Sequence, residues 1–428
     1  MYLTYGAQTL DIRAPGDARV LVPGAPDRSA PEAERVRVAL ERPIGTPSLE
    51  RLARGRRSAI ILIACRTRRT GSAVFLPEIV RVLNAAGIPD ERILVYAATG
   101  THDNWRVQDA ALLAGPDCAR RLRFMGHDCR RNLVIVGTTS RGNRVALSRT
   151  YLDADLKIAT GRVTHHYFAG FTGGRKAILP GVAGLDTILF NHRMATRTEP
   201  KVDLDPGTRN GNLETNPIHL DMLDAAHLAP PDFTLSTVLN TWNEIVHAFG
   251  GALEASHEAA IEKARASEAL AVERPADWMF LSCGGAHCDV NAVQSLKALI
   301  NNYQGVRPGG AIVLAAECAE GIAPWLRELC GVRDRAELER RIARGELRQP
   351  HNALFLRRAT EHAHVIMISK LAADDVAALG FRKAESLSAA MALATELAGP
   401  PETTFVVPFG NTTVVRIASG DVSPEGSA

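Results

Sequence analysis

The 428 residues are 46% hydrophobic and 23% charged, with a formal net charge of +3. This is the composition of a globular chain long enough for roughly two or three domains, each burying its own core. A charge so near neutrality gives no ground for a nucleic-acid or membrane-surface partner, and no apolar run approaches the ~20 residues that a membrane span needs. The opening stretch MYLTYGAQTLDIRAPGD has neither the basic start nor the apolar centre of a signal peptide. The seven cysteines form no CxxC pair and read as free thiols in a reducing compartment. A cytoplasmic location is therefore expected.

Residues 1–50 form a strand-rich lead-in punctuated by Pro and Gly. At 58–64 the run SAIILIA is continuously apolar, as in a strand covered on both faces. Helical periodicity follows over 76–86, then a second strand at 92–97 and the turn Thr99-Gly100-Thr101-His102. NLVIVG at 132–137 reads as a third strand and 155–160 as a fourth. The Gly-rich segment 170–184 is expected to open a helix that runs to about residue 196. Residues 231–249 return to the sheet, and a long polar helix over 253–271 is broken at Glu273-Arg274-Pro275. The domain boundary is placed there, giving domains 1–272 and 273–428.

The second alternation has a strand at 278–282, a helix at 290–303 and a strand at 311–316. Helices near 322–330, 335–345 and 352–361 precede a strand at 365–369 and a helix at 387–397, and strands at 404–407 and 413–417 close the sheet. Strands alternating with helices predict an α/β fold: two Rossmann-like domains with mostly parallel sheets and an interdomain active-site cleft.

In open α/β sheets ligands bind beyond the carboxyl ends of the strands. Arg68 follows the first strand, His102 the second, and His165 and His166 the fourth; Asp289, Gln294 and Lys297 follow the first strand of the second domain. Imidazole transfers protons near neutral pH and ligates nickel, which singles out His102, His165, His166 and His192. Arg68 and Lys297 are candidate carboxylate anchors. Gly173, Gly174, Arg175 and Lys176 resemble a phosphate cradle, though Arg175 and Ala177 stand where a Walker A motif has Gly and Ser/Thr. No GxGxxG follows the first strand, which counts against an NAD-linked dehydrogenase.

The block GRVTHHYFAGFTGGRKAILPGVAGLDTILFNH resembles the central signature of the nickel-dependent lactate racemase family. ATGTH at 98–102, GGAHCDVNAVQSLKAL at 284–299 and PGGAIVLAAECAEGI at 308–322 resemble further signatures, so the likeness extends over nearly the whole chain. It implies a racemase or epimerase acting at C2 of a 2-hydroxy acid through a nickel-pincer nucleotide, a pyridinium mononucleotide whose two thio-carboxyl groups grip the metal. Lys176 aligns with the lysine that attaches covalently to this cofactor, and His192 with the nickel-ligating histidine. Gly173, Gly174 and Arg175 fall where the nucleotide's phosphate region is held. His102 and His166 align with the paired acid/base histidines, and Arg68, Gln294 and Lys297 with substrate-binding positions. In this chemistry one histidine takes the hydroxyl proton while hydride moves to the cofactor, and a planar 2-keto acid is reduced on either face. Proteins that build and insert the cofactor are implied as partners.

The chain departs from the family pattern at four places. Cys65 replaces an Asp, Arg69-Thr70-Gly71 replaces a Pro-containing turn, Val293 replaces a Tyr and His165 replaces a Pro. A site that is more positive and roomier predicts a substrate larger or more acidic than lactate. The alternatives are a diverged paralogue without nickel or racemisation, and a protein that binds the cofactor without turnover.

Overall fold

The apolar run at 58–64 forms the strand Ala59–Ala64, buried along nearly its whole length. It lies in a computed structural model that describes residues 1–24, 29–102 and 105–418. The chain divides into two compact units: Gly24–Ala266, and Met1–Pro23 together with Ser267–Ala428.

In the larger unit, Gly24–Ala266, six strands run in the order Ile245–Gly251, Phe233–Leu239, Leu156–Arg162, Ala59–Ala64, Ile93–Ala98, Arg123–Gly126. All neighbours are parallel except the first pair, a hairpin. The sheet can be parallel because its central strands are apolar on both sides: Ile61, Ile63, Val95 and Ile158 are buried in one cluster with Phe75, Leu76 and Ile79 of the helix Ser72–Ala85, and the alternate residues Ile60 and Leu62 are buried as well. The chain first builds outward from Ala59–Ala64 through Ile93–Ala98 to Arg123–Gly126. It then crosses to the other side of Ala59–Ala64 to lay down Leu156–Arg162. The reversal between these two strands is a topological switch point, where a crevice opens at the carboxyl ends.

In the unit that holds the termini, all six strands of the main sheet are parallel, in the order Arg382–Ala384, His364–Ile368, Val306–Ala315, Ala276–Ser282, Thr403–Val407, Asp17–Val20. Its core gathers Leu3, Trp278, Phe280, Val313, Ile366 and Val406. The α/β class with mostly parallel sheets holds in each unit.

Several elements differ from the sequence reading. Residues 1–23, grouped by sequence with the first domain, supply an edge strand to the second sheet, where Asp17–Val20 pairs with Thr403–Val407. The expected third strand at 132–137 becomes Leu133–Thr138, a hairpin with Arg144–Ser148 outside the main sheet. Its Ile135 is 53% exposed, which a central parallel strand does not tolerate. The place in the sheet goes instead to the edge strand Arg123–Gly126, at four residues too short to stand out. Val414–Ile417 pairs with Ala269–Val272 rather than closing the main sheet. All seven cysteines are free. Among the described residues no helix is long and apolar enough to cross a membrane.

Candidate active site

The strands Leu156–Arg162, Ala59–Ala64 and Ile93–Ala98 are neighbours in the larger unit's sheet and parallel. Their carboxyl ends therefore share one edge, and each is followed by a predicted site residue. After Ala59–Ala64 the chain turns through Cys65 to Arg68, whose amide bonds back to the Cys65 carbonyl at 2.9 Å. After Ile93–Ala98, the His102 amide donates to the Thr99 carbonyl at 3.0 Å. This folds the imidazole back over the strand end, with Nδ1 at 3.3 Å from Cys65 Sγ.

After Leu156–Arg162 a tight hairpin pairs His165–His166 with Gly170–Phe171. Gly170 has φ +74°, and a Cβ there would lie 2.2 Å from the Asn212 carbonyl oxygen, so the hairpin requires glycine. The Ala169 amide donates to His166 Nδ1 at 3.3 Å, which fixes the ring's orientation. His166 stacks on Tyr167 with 5.1 Å between centroids and meets Phe168 edge-on at 4.5 Å. Burial raises the Tyr167 phenol, and the charge of Arg68 opposes that rise, so the arginine's field reaches this segment.

Phe168 is the hub of the second cluster. Lys176 Nζ lies 5.3 Å from its ring centroid and the His192 ring 5.2 Å from it. His192 is set by its helix, Leu185–Arg193, through the neighbouring Asn191. Asn191 Nδ2 donates to Asp221 Oδ2 at 2.9 Å, and Asp221, fully buried, also accepts from Thr139 Oγ1 at 2.7 Å and Asn143 Nδ2 at 2.8 Å. Asn216 caps the helix that carries Asp221, Pro217–His227, and its Nδ2 holds the Phe168 carbonyl at 2.9 Å.

The Gly-rich segment behaves differently from expectation. Gly174–Ala177 is a single 3-10 turn, and the helix starts only at Leu185. No α-helix N-terminus therefore stands behind Gly173 and Gly174. Arg175 is 1% exposed and turned inward, donating to the Ala169 carbonyl at 2.9 Å and lying 3.1 Å from His257 Nε2. Burial lowers its guanidinium to about 9, still protonated at neutral pH. Burial, and then the charge of Arg175, push His219 down to about 3 and His257 well below its ordinary range. The geometry makes Arg175 an internal brace of the 169–174 turn.

Gln294 and Lys297 belong to the unit that holds the termini. They lie on the helix Ala292–Asn302, with Lys297 Nζ donating to Gln294 Oε1 at 2.7 Å. In the larger unit His102 and Arg68 meet at Cys65, while His166, Lys176 and His192 surround Tyr167 and Phe168. The sequence reading did not assign roles to these three; Cys65 stood out only as a departure beside Arg68. His219 and His257, which no motif marks, lie close enough to Arg175 for its charge to act on both.

Among the described residues no three His, Cys, Asp or Glu side chains converge as a self-sufficient metal site. An amine at Lys176, an imidazole at His192 and an aromatic wall at Phe168 do fit an organic cofactor that carries most of its metal's ligands.

Comparison with known proteins identifies the family. Residues 5–204 match the model of the lactate racemase N-terminal domain, and residues 271–415 that of the lactate racemase C-terminal domain. A lactate racemase of Thermoanaerobacterium thermosaccharolyticum is 32% identical over 397 residues, covering 90% of this chain and 91% of that protein. A lactate racemase of Lactiplantibacillus plantarum is 30% identical over 395 residues, with the same coverage of each. The structure of the lactate racemase apoprotein from T. thermosaccharolyticum superposes with a TM-score of 0.83 at 29% identity, covering 97% of this chain and 99% of that one. A Thermotoga maritima protein, 15% identical with a TM-score of 0.66 and covering 90% of this chain and 97% of its own, shares the fold. The chain thus belongs to the lactate racemase family and is an isomerase.

Proposed function

We propose that this protein inverts the C2 centre of a 2-hydroxy acid larger or more acidic than lactate, with a nickel-pincer nucleotide as cofactor. One observation carries the reading: the strand that bears the carboxylate anchor lies between the two that bear the candidate acid/base histidines. Arg68 leaves Ala59–Ala64, His166 leaves the Leu156–Arg162 side and His102 the Ile93–Ala98 side. A racemase needs this placement, because the two enantiomers of a substrate anchored by its carboxylate present their hydroxyls in different directions.

Lys176 and His192 are the residues that would hold the cofactor. When bound, it supplies a hydride acceptor, which removes the need to ionise a weakly acidic C–H. Arg68 binds the substrate carboxylate through paired N–H bonds. His102 accepts or returns the hydroxyl proton for one enantiomer and His166 for the other. Tyr167 and Phe168, each 6% exposed, wall His166 from water. Arg66, Arg68 and Arg69 lie within four residues on one loop, and this cluster of positive charge favours a substrate more acidic than lactate. Gln294 and Lys297 are proposed as further substrate-binding residues.

The test is co-production with a pincer-nucleotide biosynthetic system, elemental analysis, and racemisation assays on lactate, dicarboxylic, aryl and sugar 2-hydroxy acids. Nickel at parity with protein and inversion of at least one acid are expected. The His102→Ala/His166→Ala double variant should keep nickel and lose turnover. Absence of nickel, with cofactor production proven on a control racemase, would overturn the cofactor assignment. Lactate outpacing every larger or more acidic acid would overturn the substrate class.

A further inference from the structure

We propose that Cys65 is the positioning partner of His102, its thiolate sulfur accepting the Nδ1–H and so presenting Nε2 to the substrate hydroxyl. This rests on the proposed role of His102. The sulfur lies 3.3 Å from His102 Nδ1 and 3.2 Å from Thr67 Oγ1. Arg68 Nη1 donates to the same Thr67 oxygen at 3.1 Å. The groups acting on the sulfur are thus an imidazole from the loop after Ile93–Ala98, and a hydroxyl and a guanidinium from its own loop.

An acceptor for the His102 Nδ1–H sets the tautomer that leaves Nε2 free to take a proton, and it fixes the ring plane. A neutral thiol is a poor acceptor for this, whereas a thiolate is a charged one. The sulfur's surroundings favour the charged form. Cys65 is 4% exposed, and burial alone would raise it. The hydrogen bond and charge of His102, the charge of Arg68 and the Thr67 hydroxyl reverse that, bringing the thiol down to about 6. Burial drives Cys118, Cys283, Cys318 and Cys330 the other way, with Cys318 raised to about 11 and Cys330 to about 12. What distinguishes Cys65 from them is the company of His102 and Arg68.

The first arm of the test needs no cofactor. Thiolate absorbance is titrated on the full-length apoprotein, with Cys65→Ser as the difference control. A single thiolate ionising near pH 6, moved above pH ~8 by His102→Gln, supports the pair. An ordinary thiol titration, or one indifferent to His102→Gln, overturns it, whether or not the protein proves to be a racemase.

The second arm uses the nickel-loaded enzyme. Cys65→Ala should lower kcat roughly 10- to 100-fold with little change in KM. Cys65→Asp should restore most of it and extend the acid limb of the kcat profile to lower pH, because a carboxylate stays charged below the thiolate's range. A Cys65→Ala enzyme with wild-type kcat and pH profile overturns the proposal while leaving the racemase reading intact.

Discussion

Arg175 is a cation without a carboxylate partner among the described residues, 1% exposed, donating to the Ala169 carbonyl and lying 3.1 Å from His257 Nε2. Removing it takes one of two donors from the Ala169 carbonyl, which keeps the Phe171 amide at 2.9 Å, and leaves a void behind the 169–174 turn. Arg175→Ala should therefore cost roughly 2–5 kcal/mol of stability, measured by urea unfolding of the apoprotein. A variant of unchanged stability that fails only to bind cofactor would show instead that the guanidinium faces the ligand. Lys176, next in sequence, contrasts with it: its amine stands over Phe168. Neighbouring basic residues thus divide into a brace and a candidate cofactor anchor, a division the motif GGRK does not announce. The inward turn of Arg175 depends in part on His257, 82 residues away in the sequence.

At the scale of elements, the helix Leu185–Arg193 carries His192 and is clamped to the helix Pro217–His227 by Asp221. Three side-chain donors, from Thr139, Asn143 and Asn191, converge on that one buried carboxylate. Asp221→Ala would leave them without their acceptor and should destabilise the protein by about 3 kcal/mol. Because Asn191 precedes His192, nickel retention in co-produced protein should fall as well. Stability and metal content equal to wild type would show that His192 is held by other contacts. The block ending in LFNH leads into a helix that carries His192, though the helix begins at Leu185 rather than in the Gly-rich segment. The clamp was not legible, since Asp221 lies 30 residues beyond Asn191 and looks like any acidic residue of an amphipathic helix.

At the scale of the whole molecule, the first residues of the chain serve the last sheet. Asp17–Val20 pairs with Thr403–Val407, the Thr4 amide donates to Ser282 Oγ at 2.9 Å, and the Gly6 amide donates to Asp289 Oδ2 at 2.8 Å. Deleting residues 1–23 should strip hydrogen-exchange protection from Thr403–Val407 and Ala276–Ser282 while leaving Ala59–Ala64 protected. Equal loss in both sheets, or in neither, would contradict the division of the chain. The sequence by itself determined the α/β class, the buried strands at 59–64, 93–98 and 278–282, and the motif residues at the strand ends. Apolar runs, turn glycines and strand–helix alternation are local signals, and a parallel sheet follows from them. Only the tertiary structure decided that Arg123–Gly126 takes the edge place that 133–138 leaves, that the N-terminal segment crosses to the second sheet, and that Cys65 meets His102. Strand partners and the facing of polar side chains are set by contacts between residues far apart in sequence, where burial and pairing compete over the whole fold and no local pattern records the outcome.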